Sequence, residues 1–185
     1  MCTIVRRMNM DDTTKDAADL LWLAFLLTGR REISLDIAVD AINSQNEGDP
    51  FFTTWMGAWA RRTVIAKALG AIRGELAQSA RRTRMARVKH GAAPQGWSLN
   101  PETTKARLEE ALLSIDVFPR AAVVLSIFEG IRIADAAVLL DADAALVRKA
   151  QAIGLSELIA NLAGANRRNE AARYPHAWRL VFAVR

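Results

Sequence analysis

The chain has 185 residues, of which 51% are hydrophobic and 24% are charged, a balance ordinary for a soluble protein with an apolar core. Its single cysteine, Cys2, excludes a disulfide framework and fits a reducing, cytoplasmic setting. The longest apolar run, 20–27, is far too short to span a membrane, and residues 1–12 lack the apolar core of a signal peptide.

The net charge of +5 is concentrated in the middle of the chain. Residues 61–107 contain eleven Lys and Arg against two Asp and Glu, whereas residues 1–60 are acidic and residues 108–185 are balanced. Such a basic band suits contact with a nucleic-acid backbone or with an acidic protein. The alternative is a solvated linker that only keeps the protein soluble.

Alanine, leucine and arginine dominate and β-branched alternation is scarce, which predicts an all-α fold. A first helix is expected over residues 15–27, apolar on most of its surface, with Gly29 as its C-cap. A second helix, over 34–43, places Ile37 and Ala41 on one face and acidic side chains on another.

Residues 44–50 have the composition of a loop. A long helix is expected to follow from Thr53 to beyond Glu75, with Trp59 and Ile65 among its apolar contacts. The densely basic stretch after it is predicted to be a linker.

In the second half, Pro119 is expected to open a helix, because a proline costs no hydrogen bond at the first helical position. Gly130 then stands where a left-handed C-cap is needed. A short helix over 133–140 precedes a three-residue polar turn, 141–143, and Asp143 is a good N-cap for the next helix. Helix, short helix, tight turn and helix form the layout of a helix-turn-helix unit.

This stretch resembles region 4 of the sigma-70 factors of the extracytoplasmic-function (ECF) group. That region has a Leu-Pro start, an apolar repeat, a Glu-Gly corner and a basic residue in its recognition helix. The residues in register with it are Pro119, Arg120, Val124, Leu125, Glu129, Gly130, Asp135, Ala137, Leu140, Val147 and Arg148.

The first half resembles region 2 of the same family. A Leu-Thr-Gly-Arg corner begins at Leu27, and an acidic helix segment occupies 36–40. An aromatic-to-arginine run then matches at Phe52, Trp55, Met56, Ala60 and Arg61. Two motifs in the family's order are stronger than either alone, although an α-helical protein with an accidental likeness is a further interpretation.

The resemblance implies two small helical domains joined by a basic linker. These are a region 2-like domain over 1–77, the linker over 78–104, a helix-turn-helix domain over 105–163 and a tail over 164–185. The implied function is transcription initiation, with core RNA polymerase and promoter DNA as partners. An anti-sigma or other regulatory protein is a further implied candidate.

The resemblance also implies roles for individual residues. Asp36 and Asp40 would dock on polymerase, for which the alternative is an ordinary exposed helix face. The residues implied to lie near DNA are Trp55, Arg61, Arg62, Arg132, Ala144, Arg148 and Lys149. A tryptophan one turn from Trp59 is also typical of a helix core, so a base-stacking role for Trp55 is one of two interpretations.

Some positions depart from the family. Val39 replaces a glutamine, and residues 150–155 lack the arginines usual at the end of the recognition helix, with Gly154 costing a helix about 1 kcal/mol relative to alanine. Fewer cations predict weaker, less salt-sensitive DNA binding. The alternative function is therefore a degenerate sigma-like regulatory or interaction module without promoter recognition. In that module, Ile153, Leu155 and the apolar tail over 178–184 would form a protein interface, or they would pack the two domains together and mask the DNA-binding face.

Catalytic and metal-binding patterns do not stand out. The two histidines, His90 and His176, have no Cys or His neighbour at metal-ligand spacing, and no Gly-rich phosphate loop or framed nucleophile occurs. Asp141 and Asp143 are better explained by a turn and a helix cap. The sequence therefore predicts a binding protein without a cofactor, and not an enzyme.

Overall fold

A computed structural model describes the backbone of residues 10–46, 53–87 and 103–173, and the side chains of residues 16–43, 57–87 and 103–163. The described residues are helical and contain no strand, which confirms the predicted all-α fold class. The elements are α1 (Met10–Thr28), α2 (Arg31–Asn46), α3 (Thr53–Ala71), α4 (Arg73–Met85), α5 (Lys105–Leu113), α6 (Val117–Val123), a π-helical segment (Val124–Phe128), α7 (Ile133–Leu139) and α8 (Ala144–Arg173).

The first three helices pack against one another around buried aliphatic side chains. Gly29 ends α1 with a φ of 70°, the left-handed conformation predicted for this C-cap. The Thr28 hydroxyl accepts a hydrogen bond of 3.2 Å from the Arg30 amide and bonds to the buried Ser34 hydroxyl at 2.7 Å. These bonds hold the corner between α1 and α2, and α2 begins three residues before the predicted start.

The predicted long helix is interrupted at Ile72, which divides it into α3 and α4. Ile65 is buried as predicted, but the expected apolar contact of Trp59 was wrong, because 46% of this residue is exposed. The buried face of α3 runs through Ala60, Val64 and Ala68 at a spacing of four residues, and Trp59 lies beside that face. α4 continues to Met85, so the predicted linker begins inside a helix.

The start of α6 differs from the prediction by two residues. Asp116 is the N-cap, its Oδ1 accepting from the Val117 amide at 2.9 Å, and Pro119 is the third helical residue. A proline is tolerated there because the amides of a helix's first turn have no intrahelical partner. The Phe118 amide donates instead to the buried Ser79 hydroxyl of α4 at 2.9 Å, which ties α6 to α4.

After α6, the chain forms the π-helical segment and then the left-handed Gly130, whose φ is 65°. The Glu129 amide donates to the Val124 carbonyl at 3.0 Å, a bond that spans five residues and not the usual four. Gly130 therefore ends the helix as predicted, but with one residue more in the last turn.

α8 lies against α6 at very short distance. A Cβ on Gly154 would stand 2.7 Å from the Pro119 carbonyl oxygen and 2.8 Å from Val123 Cγ2. This glycine is therefore required by helix packing, which outweighs its low helix propensity. Leu155 is buried and Ile153 is half-buried, so Leu155 belongs to the core and not to an exposed protein interface, the first of the two roles that the sequence left open.

The two halves of the chain meet around a buried arginine. Arg120 of α6 is 5% exposed and donates to the carbonyls of Leu27 at 3.2 Å, Leu113 at 3.4 Å and Ile115 at 3.3 Å. Two of these carbonyls end α1 and α5, where the helix dipoles favour a cation. Burial nevertheless lowers the pKa of Arg120.

Buried apolar side chains from both halves form one cluster, which includes Leu27, Ile72, Phe118 and Leu158. α6 contacts α1 and α4 as well as α8. The division into a region 2-like and a region 4-like domain stays a prediction, as does the tail over 164–185, of which α8 contains the first part.

Candidate nucleic-acid interface

The segment from α7 to α8 has a sharply defined turn. Asp141 has a φ of 50°, and the Ala142 amide donates to the Ala137 carbonyl at 3.0 Å. Asp143 Oδ1 accepts from the Leu146 amide at 2.7 Å, which confirms the predicted N-cap. Leu146 and its neighbour Val147 are buried, so the first turn of α8 has a fixed orientation and its opposite face points outward.

The outward face of α8 carries the predicted DNA-reading residues. Ala144 is half-buried, and Arg148 is exposed with no ion pair among the described residues. Lys149 is half-buried, and its Nζ donates to the Arg84 carbonyl at 2.8 Å. Asp143 Oδ2 also lies 3.9 Å from the Arg84 guanidinium. Arg148 is therefore accessible to a phosphate or a base edge, whereas Lys149 is held against α4.

Arg132 lies at the N-cap position of α7 but makes no capping bond. Its guanidinium donates to both carboxylate oxygens of Asp135, at 2.8 and 3.3 Å. These hydrogen bonds raise the pKa of Arg132. The side chain remains exposed, so a DNA phosphate would compete with Asp135 for it.

On α3, the predicted DNA-binding arginines have different environments. Arg61 donates from Nε and from its terminal nitrogen to the two oxygens of Glu129, at 3.0 and 2.6 Å. The hydrogen bond to Glu129 raises the pKa of Arg61, against a smaller effect of burial. Arg62 is exposed and has no ion pair within the described side chains, whereas the side chain of Trp55 lies outside them.

The bond between Arg61 and Glu129 connects the two halves at the surface. The Glu129 side chain is 10% exposed and that of Arg61 is 44% exposed. Glu129 belongs to the Glu-Gly corner at the end of the π-helical segment. An arginine expected near DNA is thus bound to a carboxylate of the half expected to read DNA.

Three cations on α4 and just after its end belong to a structured surface that the sequence did not predict. Arg81 and Arg87 are exposed without an ion pair in the described part of the chain, and Arg84 lies between them in sequence. Arg81, Arg84 and Met85 border a depression of 380 Å³. Arg81 and Arg84 lie three residues apart on α4, a helical spacing that the interpretation of this stretch as a linker overlooked, whereas Arg87 follows the extended C-cap Ala86.

The predicted polymerase-docking residues lie on the outer face of α2. Asp36 and Asp40 are both exposed, four residues apart, and Asp40 accepts from Lys67 Nζ at 2.8 Å. Leu35 and Val39 are 53% and 45% exposed on adjoining positions. α2 therefore presents two exposed aliphatic side chains beside two carboxylates.

The structure brings Arg61 to Glu129 and Lys149 to α4, and it leaves Arg62, Arg148 and Asp36 directed to solvent.

Within residues 16–43, 57–87 and 103–163, no three His, Cys, Asp or Glu side chains are placed to hold a metal ion. The described helices also include none that is both long and apolar enough to cross a membrane. No protein-family model, curated protein or solved structure matches this chain.

Proposed function

We propose that this chain is a transcription initiation factor of the ECF sigma-70 type, a DNA-binding protein and not an enzyme. α7 and α8 act as the helix-turn-helix unit that contacts promoter DNA, and α2 docks on core RNA polymerase in the cytoplasm. The observation that carries the proposal is the capped turn before α8, which buries Leu146 and leaves Arg148 outward. The resemblance of the two halves to regions 2 and 4 supports it.

The basic side chains of α4 support the same function. Arg81 and Arg84 lie near the end of α4, Arg87 follows two residues after that end, and Lys149 contacts the last turn of α4. Arginines on adjoining helices supply the phosphate contacts that position a protein on a duplex. In this arrangement Arg148 contacts a base edge or the adjacent phosphate, while α4 contributes sequence-independent attraction.

The experiment is a pull-down of purified core RNA polymerase with the full chain, followed by transcription on a pool of genomic fragments. Discrete start sites are expected, with binding that weakens as salt rises. Asp36→Arg should abolish association with polymerase, whereas Glu110→Arg, at an exposed acidic position on α5, should not. Failure to bind polymerase would overturn the proposal.

The DNA contact has its own test within the same assay. Arg148→Ala should weaken promoter binding by about tenfold, the result of losing roughly 1–3 kcal/mol from one base contact. Arg31→Ala, at an exposed position on α2, is the matched control. Equal effects of the two substitutions would exclude α8 as the reading helix.

A second candidate is the degenerate sigma-like regulator that binds a protein partner without promoter recognition. The bidentate bond between Arg61 and Glu129 favours it, because this bond occupies an arginine expected near DNA. The bond from Lys149 to the Arg84 carbonyl favours the same candidate, because it occupies a second cation expected near DNA. Binding of polymerase without initiation would favour this candidate over the first.

A further inference from the structure

A cleft of 410 Å³ lies where α1, α2 and α5 meet. Its apolar surface comes from Leu21, Trp22 and Phe25 of α1 and from Leu35 of α2. Sites for small molecules have this character, being concave, mostly apolar and about 300–1,000 Å³ in volume. The cleft includes neither Arg148 nor the α4 cations, and it shares Leu35 with the exposed face of α2.

Two positively charged side chains lie at the cleft. Lys105 Nζ lies 4.6 Å from the centroid of the Trp22 ring, and the Arg31 guanidinium lies 5.7 Å from that of Phe25. Both cations therefore stand over the aromatic rings that line the apolar surface. A cation held over a ring keeps much of its capacity to attract an anion, because the ring supplies no full negative charge.

Two carboxylates, Glu109 and Asp19, lie near these two cations. Glu109, also in the lining, accepts a hydrogen bond of 3.1 Å from the Trp22 indole N–H. Asp19 approaches Lys105 to 3.9 Å with both side chains about half exposed, so the pair is weak and an added anion can compete with Asp19 for Lys105. Arg31 has no ion pair among the described residues. The lining thus has two cations against one carboxylate.

The cleft also connects the two halves of the chain. Trp22 and Phe25 belong to the first half, whereas Lys105 and Glu109 belong to the second. Ligand sites occur preferentially where two structural units meet. A ligand here would touch α1, α2 and α5 together.

We propose that this cleft binds a small amphipathic anion. Its apolar body packs on Trp22, Phe25 and Leu35, and its charged head lies beside Arg31 and Lys105. Leu35 is shared with the exposed face of α2, so the bound molecule changes the surface next to Asp36. The proposal goes beyond the proposed function and does not depend on polymerase or DNA binding.

The probe is decanoate, titrated into the full chain and followed by calorimetry. Its matched control is decyltrimethylammonium, which has the same alkyl chain and the opposite charge. We expect decanoate to bind at least about tenfold more tightly, because complementary charge at the rim distinguishes the two heads. Equal affinities, or no binding of decanoate, would overturn the proposal.

The location is tested by the indole N–H signals of the five tryptophans in a ¹⁵N–¹H spectrum, with the Trp22 signal assigned from Trp22→Phe. Decanoate should move the Trp22 signal at concentrations that leave the others in place. Arg31→Gln and Lys105→Gln should each weaken decanoate by roughly fivefold, and Arg62→Gln on α3 should leave its affinity unchanged. An unmoved Trp22 signal, or an equal loss in Arg62→Gln, would place the binding elsewhere and exclude this site.

Discussion

The two halves of the molecule meet in a buried contact and in a surface contact. At the first, Arg120 is enclosed and donates to three carbonyls, two of them at helix ends. At the second, Arg61 and Glu129 form a bidentate ion pair open to water on the arginine side. A buried cation leaves carbonyls without partners when it is removed, whereas an exposed ion pair is replaced by water. The buried contact therefore fixes how the halves pack. The surface contact determines whether the charge of Arg61 is available to a binding partner.

The largest effect is expected at the buried contact. Arg120→Met should lower the free energy of unfolding by about 3 kcal/mol, because buried carbonyls lose their donors and water cannot replace them. Urea denaturation measures the loss. Arg132→Met, at the exposed residue just before α7, should leave the urea midpoint nearly unchanged. A loss below about 1 kcal/mol for Arg120→Met would contradict the role assigned to this contact.

Gly154→Ala tests the close approach of α6 and α8, on which the second half depends. The new Cβ would meet the backbone of Pro119, which cannot move as a flexible side chain does. We expect a loss of about 2 kcal/mol, although alanine is the better helix former. Gly70→Ala in α3 is the control, because its Cβ would enter open space, and it should gain about 0.5–1 kcal/mol. If both variants changed the free energy of unfolding in the same direction, the close packing of α6 on α8 at Gly154 would be contradicted.

Asp116 forms a third contact, since it caps α6 and also accepts from Arg82 of α4 at 2.8 and 2.9 Å. The hydrogen bond from Arg82 is the main cause that lowers the pKa of Asp116, with the Ser79 hydroxyl and the Val117 amide acting in the same direction. A carboxylate whose pKa is lower in the folded state stabilises that state above the pKa of the unfolded chain. This stabilisation is lost as pH falls through the lower, folded value.

Asp116→Asn should therefore lower the free energy of unfolding at neutral pH, by a smaller amount than Gly154→Ala does. Asparagine is chosen because it still caps the helix, so that only the charge is lost. Thermal unfolding between pH 7 and pH 2 measures the difference, which should shrink once the pH falls below the ordinary aspartate value of 3.8. Asp36→Asn controls for the loss of one carboxylate from the surface. A difference that persists unchanged in acid would exclude the charge of Asp116 as its cause.

The smallest effect is expected at the surface contact. Glu129→Gln should lower the free energy of unfolding by about 0.5 kcal/mol, and the difference should decrease in high salt. The same variant frees Arg61, so the affinity of the Glu129→Gln protein for DNA should be higher than that of the native chain. Anisotropy of labelled duplex DNA measures this change. An unchanged affinity would mean that Arg61 does not contribute to nucleic-acid binding even when it is released.

Local signals in the sequence predicted much of the helical framework. Gly29, Gly130 and Asp143 each have a conformation or a cap that their own chemistry dictates, and all three are placed as expected. The same local reasoning placed Pro119 two residues from its position in α6, because it did not weigh Asp116 as the stronger cap. The first residue of a helix is decided by such competition between neighbouring capping and helix-starting residues.

The long-range contacts did not follow from the sequence. Gly154 was interpreted as a cost to its helix, since the requirement for a glycine comes from α6, more than thirty residues earlier. Arg120 belongs to the region 4 resemblance, yet a charged residue is seldom buried, so its contact with the end of α1 had no local signal. The predicted roles of Arg148, Asp36 and the other site residues stay predictions.

The π-helical segment has a consequence for the register of the chain. A turn that closes over five residues contains, in effect, one residue more than an α-helix would hold. Without that residue, every side chain after it would turn by roughly 100° about the helix axis. Glu129 would then leave the side of Arg61, although every nearby residue kept its identity. The surface contact between the halves thus depends on one extra residue, and deletion of one residue in this segment is expected to break the pair of Arg61 and Glu129 although both partners are still present.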